Sequence, residues 1–378
     1  MLAKELEKLG IENISVVLGK ISEKETIELK RFLTNFQSVG VQRPQHLGLD
    51  TSLAQVALSL ARRKADPYAT KDSKLTKQPR SLWPKGFVAD SKPMPWWTMK
   101  YKTRWLADGS VVSGNHVFTN FLWNELGRGT DLKQLEGWMQ NNQQAIRDLT
   151  AAVFASKAPR YGDFFGWNTV GLQKAKQGQK LFEQRCARCH GSYVKGWDAP
   201  STDTEDLAAL MKTTRVRYPK QTPVYDVGTD PNRAKGMTYF ADALNQLAIS
   251  KSMQTVVKPQ TGYVPPPLNG IFARYPYLHN NSIPNLCALL TPSAQRPKKF
   301  VQGPAHNKKT DFDLDCVGYP TGDAIPAAWK EDTSAHVDTT KPGLSNKGHD
   351  VGIFVDTQGK SLLSTEQRAQ LIAFLKTL

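Results

Sequence analysis

Within five consecutive positions, Cys186 to His190, the chain spends two of its four cysteines and one of its seven histidines. The stretch reads Cys-Ala-Arg-Cys-His. C-x-x-C-H is the attachment pattern of c-type haem. The two thiols add to the porphyrin vinyl groups as thioethers, and the next histidine meets the iron as its proximal ligand. A two-residue spacer in one helical turn sets both sulfurs on one edge of the macrocycle. No other feature constrains the fold as tightly, because the backbone must grip a flat ring at this point. The same residues also occur as a redox dithiol or as half of a zinc site. The sequence has no second C-x-x-C, which weakens zinc, and a dithiol does not need the adjacent histidine.

With 378 residues, 39% of them hydrophobic and 22% charged, the chain can bury a real core and form two or three domains. No apolar run reaches the eighteen residues a membrane-spanning helix needs, so no transmembrane segment is expected. The net charge of +16 favours acidic partners, here an acidic redox protein, or else serves solubility. Nucleic acid is not an expected partner: no nucleic-acid motif is present and the basic residues form no single block. Four cysteines are too few for a disulfide-rich scaffold. Cys287 and Cys316 either pair or remain two buried thiols.

Periodicity and capping signals predict helices over 1–40, 51–63, 131–156, 171–186, 203–212, 236–251, 284–291 and 364–378, with only weak strand signals. Residues 64–115, rich in Pro, Lys and Trp, read as irregular. A Pro/Gly/aromatic link near residue 160 suggests a boundary between an irregular helical region, 1–160, and a haem-bearing region, 161–378. The expected fold class is mainly α, a small cytochrome-like helical domain with long loop insertions. Gly178, Leu181 and Phe182 lie just before the motif. Ser364 and Gln367 open the last helix in capping-box spacing. These two helices are expected to cross, with Gly178 permitting a close approach. The second axial position of the iron has several candidates: Met211, Met237, Met253, His279, His306, His336 and His349.

The segment "PLNGIFARYPYLHNNSIPNL", with the attachment motif and "NKGHDVG…LSTEQRAQLIAFLKTL", resembles dihaem cytochromes c related to bacterial cytochrome c peroxidases and the rubber oxygenase RoxA. "VGTDPNRA" and "PWWTMKYKTRW" are similar to further segments of that group. The resemblance covers most of residues 80–378 and is most specific in the C-terminal half. It implies one covalent haem c on Cys186 and Cys189, with His190 as proximal and His349 as distal iron ligand. His279, in a loop against the haem, is the alternative ligand. Arg215, Arg217 and Arg274 are candidate partners of the haem propionates, or ordinary surface ion-pairing residues. Bis-histidine coordination suits electron transfer rather than substrate activation.

The group carries two C-x-x-C-H motifs and this chain has one. Attachment of this kind takes place outside the cytoplasmic membrane, yet the N-terminus does not read as an export signal. Two explanations compete, loss of that haem or a truncated upstream half; truncation, which would account for both departures, is the expectation. Trp96, Trp97 and Trp105 would then have packed near the missing haem, or are simple core aromatics. The expected function is periplasmic electron transfer with a donor or acceptor protein. The alternative is a dihaem peroxidase- or oxygenase-type oxidoreductase in which this haem serves a catalytic one.

Overall fold

The computed structural model describes residues 44–50, 56, 90–127, 130–200, 206–239 and 241–378. The helices expected over 1–40 and 51–63 lie outside them, apart from Val56. The described chain is mainly helical with little sheet, as its sequence predicts.

Among the described residues the helical Val56 and a 3-10 turn at Trp96–Tyr101 precede helices α1 (His116–Gly127), α2 (Leu132–Asn141) and α3 (Gln143–Ala155). The single helix expected over 131–156 is therefore two. Asn142 leaves helical geometry, at φ −123° and ψ 29°, and its Nδ2 donates to the Trp138 carbonyl at 2.7 Å. The side chain thus takes over a carbonyl that the interrupted helix leaves without a partner. Asp131 caps α2 by accepting from the amides of Lys133 and Gln134.

The short helix α4 (Tyr161–Phe165) leads to α5 (Leu172–Arg185) and α6 (Ala187–His190). The hairpin-like ladder of β1 (Ser192–Lys195) and β2 (Thr214–Arg217) is antiparallel and pairs Ser192 with Arg217. Between its strands lies α7 (Leu207–Lys212). Next come α8 (Asn232–Met237), α9 (Ala241–Gln246) and α10 (Ala248–Ser252). Here too one expected helix, 236–251, is broken: Leu247 is extended at ψ 135° between α9 and α10. The chain closes with α11 (Leu286–Leu289), α12 (Ala327–Glu331) and α13 (Thr365–Leu375). A second small antiparallel ladder joins β3 (Lys299–Val301) to β4 (His336–Asp338).

Helices α5 and α13 form the frame of the haem-motif region. On α5 the buried residues are Ala175, Gly178, Gln179 and Phe182, the i, i+3, i+4, i+7 stripe of an amphipathic helix. On α13 the Ser364 hydroxyl accepts from the Gln367 amide and the Gln367 side chain accepts from the Ser364 amide, the expected reciprocal cap. The helices meet where a Cβ on Gly178 would stand 1.9 Å from the Gln370 carbonyl oxygen. Only glycine allows that approach. Gly178→Ala should force the helices apart and cost about 2–3 kcal/mol of stability. A urea midpoint equal to that of the parent protein would show that the crossing is not this close.

Two large cores result. The first joins residues of α1–α3, among them Trp123, Leu126 and Leu132, to Met237, Leu244, Ile249 and Val257. The second gathers α5 and α13 with Tyr193, Phe272, Tyr277, Leu286 and Phe354. A smaller cluster around Phe300, Tyr319 and Trp329 lies behind the β3–β4 ladder. Cys287 and Cys316 are disulfide-bonded with Cα atoms 5.0 Å apart, which tethers α11 to the loop before Val317.

Candidate functional site

The motif occupies one helical turn. The amides of Cys189 and His190 both donate to the Cys186 carbonyl, at 3.1 and 2.9 Å. That turn projects Cys186, Cys189 and His190 into a cavity of about 250 Å³. Phe182, Leu286, Leu290, Leu371 and Leu375 give the cavity an apolar wall on this side. Burial pushes the Cys186 thiol up to about 12. Dithiol oxidoreductases need the opposite shift, toward a reactive thiolate, so the environment does not suit that use.

His190 is oriented by its neighbours. Its Nδ1 donates to the Pro266 carbonyl at 2.8 Å, which leaves Nε2 to offer its lone pair to the cavity. The Tyr193 hydroxyl donates to the His190 carbonyl at 3.2 Å and accepts from the Leu268 amide at 2.6 Å, tying the motif turn to the same loop. Val264 to Leu268 read Val-Pro-Pro-Pro-Leu. Proline has no amide hydrogen, so such a run keeps carbonyls free to accept from side chains. That run was the available sequence signal for Pro266.

His349 faces His190. Their ring centroids are 6.4 Å apart and their planes lie within 16° of parallel. Two metal–imidazole bonds of about 2.0 Å, plus about 1.15 Å from each nitrogen to its ring centre, would separate the centroids by roughly 6.3 Å. The His349 Nδ1 is buried and the ring makes no hydrogen bond among the described residues. Burial, with the His190 ring beside it, holds the His349 imidazole down to about 3. Burial also lowers His190. Both rings are thus neutral, the form that can ligate a metal.

The backbone at His349 explains how the ring is aimed. His349 has φ 60°, a left-handed conformation uncommon for a side-chain-bearing residue. Its amide donates to the Val227 carbonyl at 2.9 Å. Next to it Gly348, at φ 106°, packs so tightly that a Cβ would stand 2.9 Å from the Thr229 amide nitrogen. The Val227–Thr229 segment therefore holds the turn that presents His349.

The other candidates sort by position. His279 and Arg274 line the same cavity. His279 stacks on Tyr263 with centroids 3.8 Å apart, and burial together with the Arg233 charge lowers it to about 3. Met211 and Met237 are buried in the two large cores, away from the cavity lining. Met253 packs on the first core. His306 and His336 are exposed. Arg215 and Arg217 alternate outward on β2, exposed, while Val216 packs inward, and neither arginine lines the cavity. Of the tryptophans, Trp96 is exposed, Trp97 donates to the Asn269 carbonyl at 2.8 Å, and Trp105 is buried in the first core.

Sequence reasoning did not single out the part of the wall that comes from before residue 160. Lys92, Met94, Thr98, Lys102 and Leu106 all line the cavity. No spacing rule links them to a motif more than eighty residues away, and only tertiary contact brings them there.

One stretch of the cavity wall has a counterpart among known proteins. Residues 262–301, which carry Pro266, Arg274 and His279 along the cavity, match the family model described as RoxA-like, cytochrome c-like. That segment is thereby similar to the RoxA-like cytochromes. It also resembles two curated proteins of Sinorhizobium fredii, both described as uncharacterized. It is 29% identical to y4iJ over 266 residues, which is 59% of this chain and 41% of that protein. It is 30% identical to y4iM over 245 residues, 55% of this chain and 49% of that protein. The matched regions thus span about half the length of these relatives or less. Among the described residues no helix is long and apolar enough to cross a membrane.

Proposed function

We propose that the chain is a c-type cytochrome that binds one haem covalently and transfers electrons. The observation that carries this reading is the pair of facing imidazoles, His190 and His349, whose 6.4 Å separation across a thiol-edged cavity suits a six-coordinate metal. The bound group would supply a one-electron Fe(III)/Fe(II) couple. The chain's own residues define what that couple can do. Cys186 and Cys189 would anchor the ring, His190 and His349 would hold its iron, and the apolar wall would keep water from it. A metal held by both imidazoles would be closed to small molecules, which favours electron transfer over substrate activation.

Two further features support a periplasmic setting. Thioether formation of this kind belongs to that compartment, and the Cys287–Cys316 disulfide suits an oxidising one. The net charge of +16 favours an acidic electron donor or acceptor, whose docking should weaken as salt rises. The match to the RoxA-like family favours one second reading: the chain works within a peroxidase- or oxygenase-type oxidoreductase and hands electrons to a separate catalytic haem.

Maturation with the haem-ligation machinery tests the first reading. The expected product is red, heavier than the bare chain by one haem, and low-spin six-coordinate. Colourless protein with both motif thiols free would overturn it. A high-spin iron that takes up carbon monoxide would transfer support to an enzyme.

A further inference from the structure

Among the described residues the cavity is lined by four side chains of cationic type, Lys92, Lys102, Arg185 and Arg274, and by no Asp or Glu. Three of the four gather on the wall formed by residues 92–102 and the family-matched loop. The Lys92 Nζ donates to the carbonyls of Arg274 and Pro276, and the Lys92 amide donates to the His279 carbonyl. The Lys102 Nζ lies 3.3 Å from the Met94 sulfur, a weak acceptor. The Arg274 guanidinium donates to the Pro93 carbonyl at 2.6 Å. None of the three has a carboxylate partner among the described residues. The local electrostatics show the same lack of compensation. Burial is the first cause lowering all three groups, Lys92 well below the ordinary lysine range, Lys102 to about 7 and Arg274 to about 10. The charge acting on either lysine is the like charge of Arg274.

Lys102 is buried and Lys92 and Arg274 are half-buried. Like charges gathered there, partly withdrawn from water, are unfavourable unless an anion joins them. The cytochrome reading supplies a suitable anion. A haem carries two propionate carboxylates on its rim, and its covalent link to Cys186 and Cys189 leaves them free to reach another wall.

We propose that Lys92, Lys102 and Arg274 form the propionate-binding wall of the haem site, so that the segment preceding the motif region completes the cofactor pocket. This inference rests on the proposed haem at Cys186 and Cys189. Lys92 and Lys102 act as positioning and charge-setting residues. Each compensates a carboxylate, and each therefore makes electron uptake by the nearby iron more favourable.

The test uses holoprotein and reads the haem itself. Lys92→Met, Lys102→Met and Arg274→Met are compared with Lys212→Met, an exposed lysine on α7. Each cavity variant should shift the Fe(III)/Fe(II) equilibrium about fivefold toward the oxidised form, roughly 40 mV at 59 mV per tenfold. Lys212→Met should shift it far less, because solvent and salt screen that charge. Lys102→Arg should restore the parent value. With haem labelled with carbon-13 at the propionate carboxylates, the carboxylate infrared bands should move in the cavity variants and stay fixed in Lys212→Met. Should one variant fail to mature, the others and Lys102→Arg carry the comparison. Bands and potentials that respond no more to the cavity variants than to Lys212→Met overturn the wall assignment. Parent protein that matures without haem overturns the cytochrome reading instead.

Discussion

On the proposed haem reading, replacing His349 with alanine should turn a closed iron into an open one. In the parent protein the imidazole is held in place by a left-handed turn clamped to the Val227 carbonyl, so on that reading carbon monoxide would have to displace a tethered ligand. Removing the competing bond should raise carbon monoxide affinity by at least roughly 100-fold, the factor that about 3 kcal/mol of lost competition represents. The spectrum should change from low-spin six-coordinate to high-spin, and added imidazole should restore it by entering the space the ring leaves. Titration of reduced protein with carbon monoxide provides the measurement. A variant that remains six-coordinate with the parent spectrum would remove His349 from the axial position. His279→Ala would then be the next variant to examine, since His279 lines the same cavity.

Replacing both motif cysteines with alanine should abolish covalent haem entirely. Cys186 and Cys189 are the two cysteines outside the disulfide, and both face the cavity. Acid–acetone extraction, which leaves thioether-linked haem on the polypeptide, should strip all colour from the double variant and none from the parent. Single replacements discriminate further. Each leaves one vinyl group unreacted and conjugated with the ring, so the absorption bands of the reduced pyridine complex should move to longer wavelength. Haem that stays on the double variant through denaturing electrophoresis would refute attachment at the motif.

How much of this was legible beforehand depended on the range of the cause. The helical turn of the motif was readable because the two-residue spacing is that of one turn. Helices α5 and α13 were readable because a 3.6-residue stripe and a capping box act within a few residues. Gly178 announced their close crossing for the same reason. The breaks at Asn142 and Leu247 were not legible, because single backbone departures compete with helix-forming neighbours on both sides. Arg215 and Arg217 looked equal to Arg274 as partners for an anion. Strand alternation on β2 turns the first two toward solvent, while the family-matched loop turns Arg274 toward the cavity. Lys92 and Lys102 were invisible for a plainer reason: charge on an irregular segment reads as a solvated surface until tertiary contact draws it inward. Cys287 and Cys316 had two open readings, and their proximity decides for the bond.

The division of the hydrophobic residues has one mechanical consequence. The first core contains residues on both sides of the motif in sequence, from the stretch up to Val153 and again from Met237 to Val257, while the second contains those between and beyond. The polypeptide accordingly passes from one core to the other three times. A single connection would leave a hinge; three resist bending together. Such bracing would keep the two imidazoles and the cationic wall at constant distance, and under the proposed function a site that need not rearrange between two oxidation states could exchange electrons rapidly.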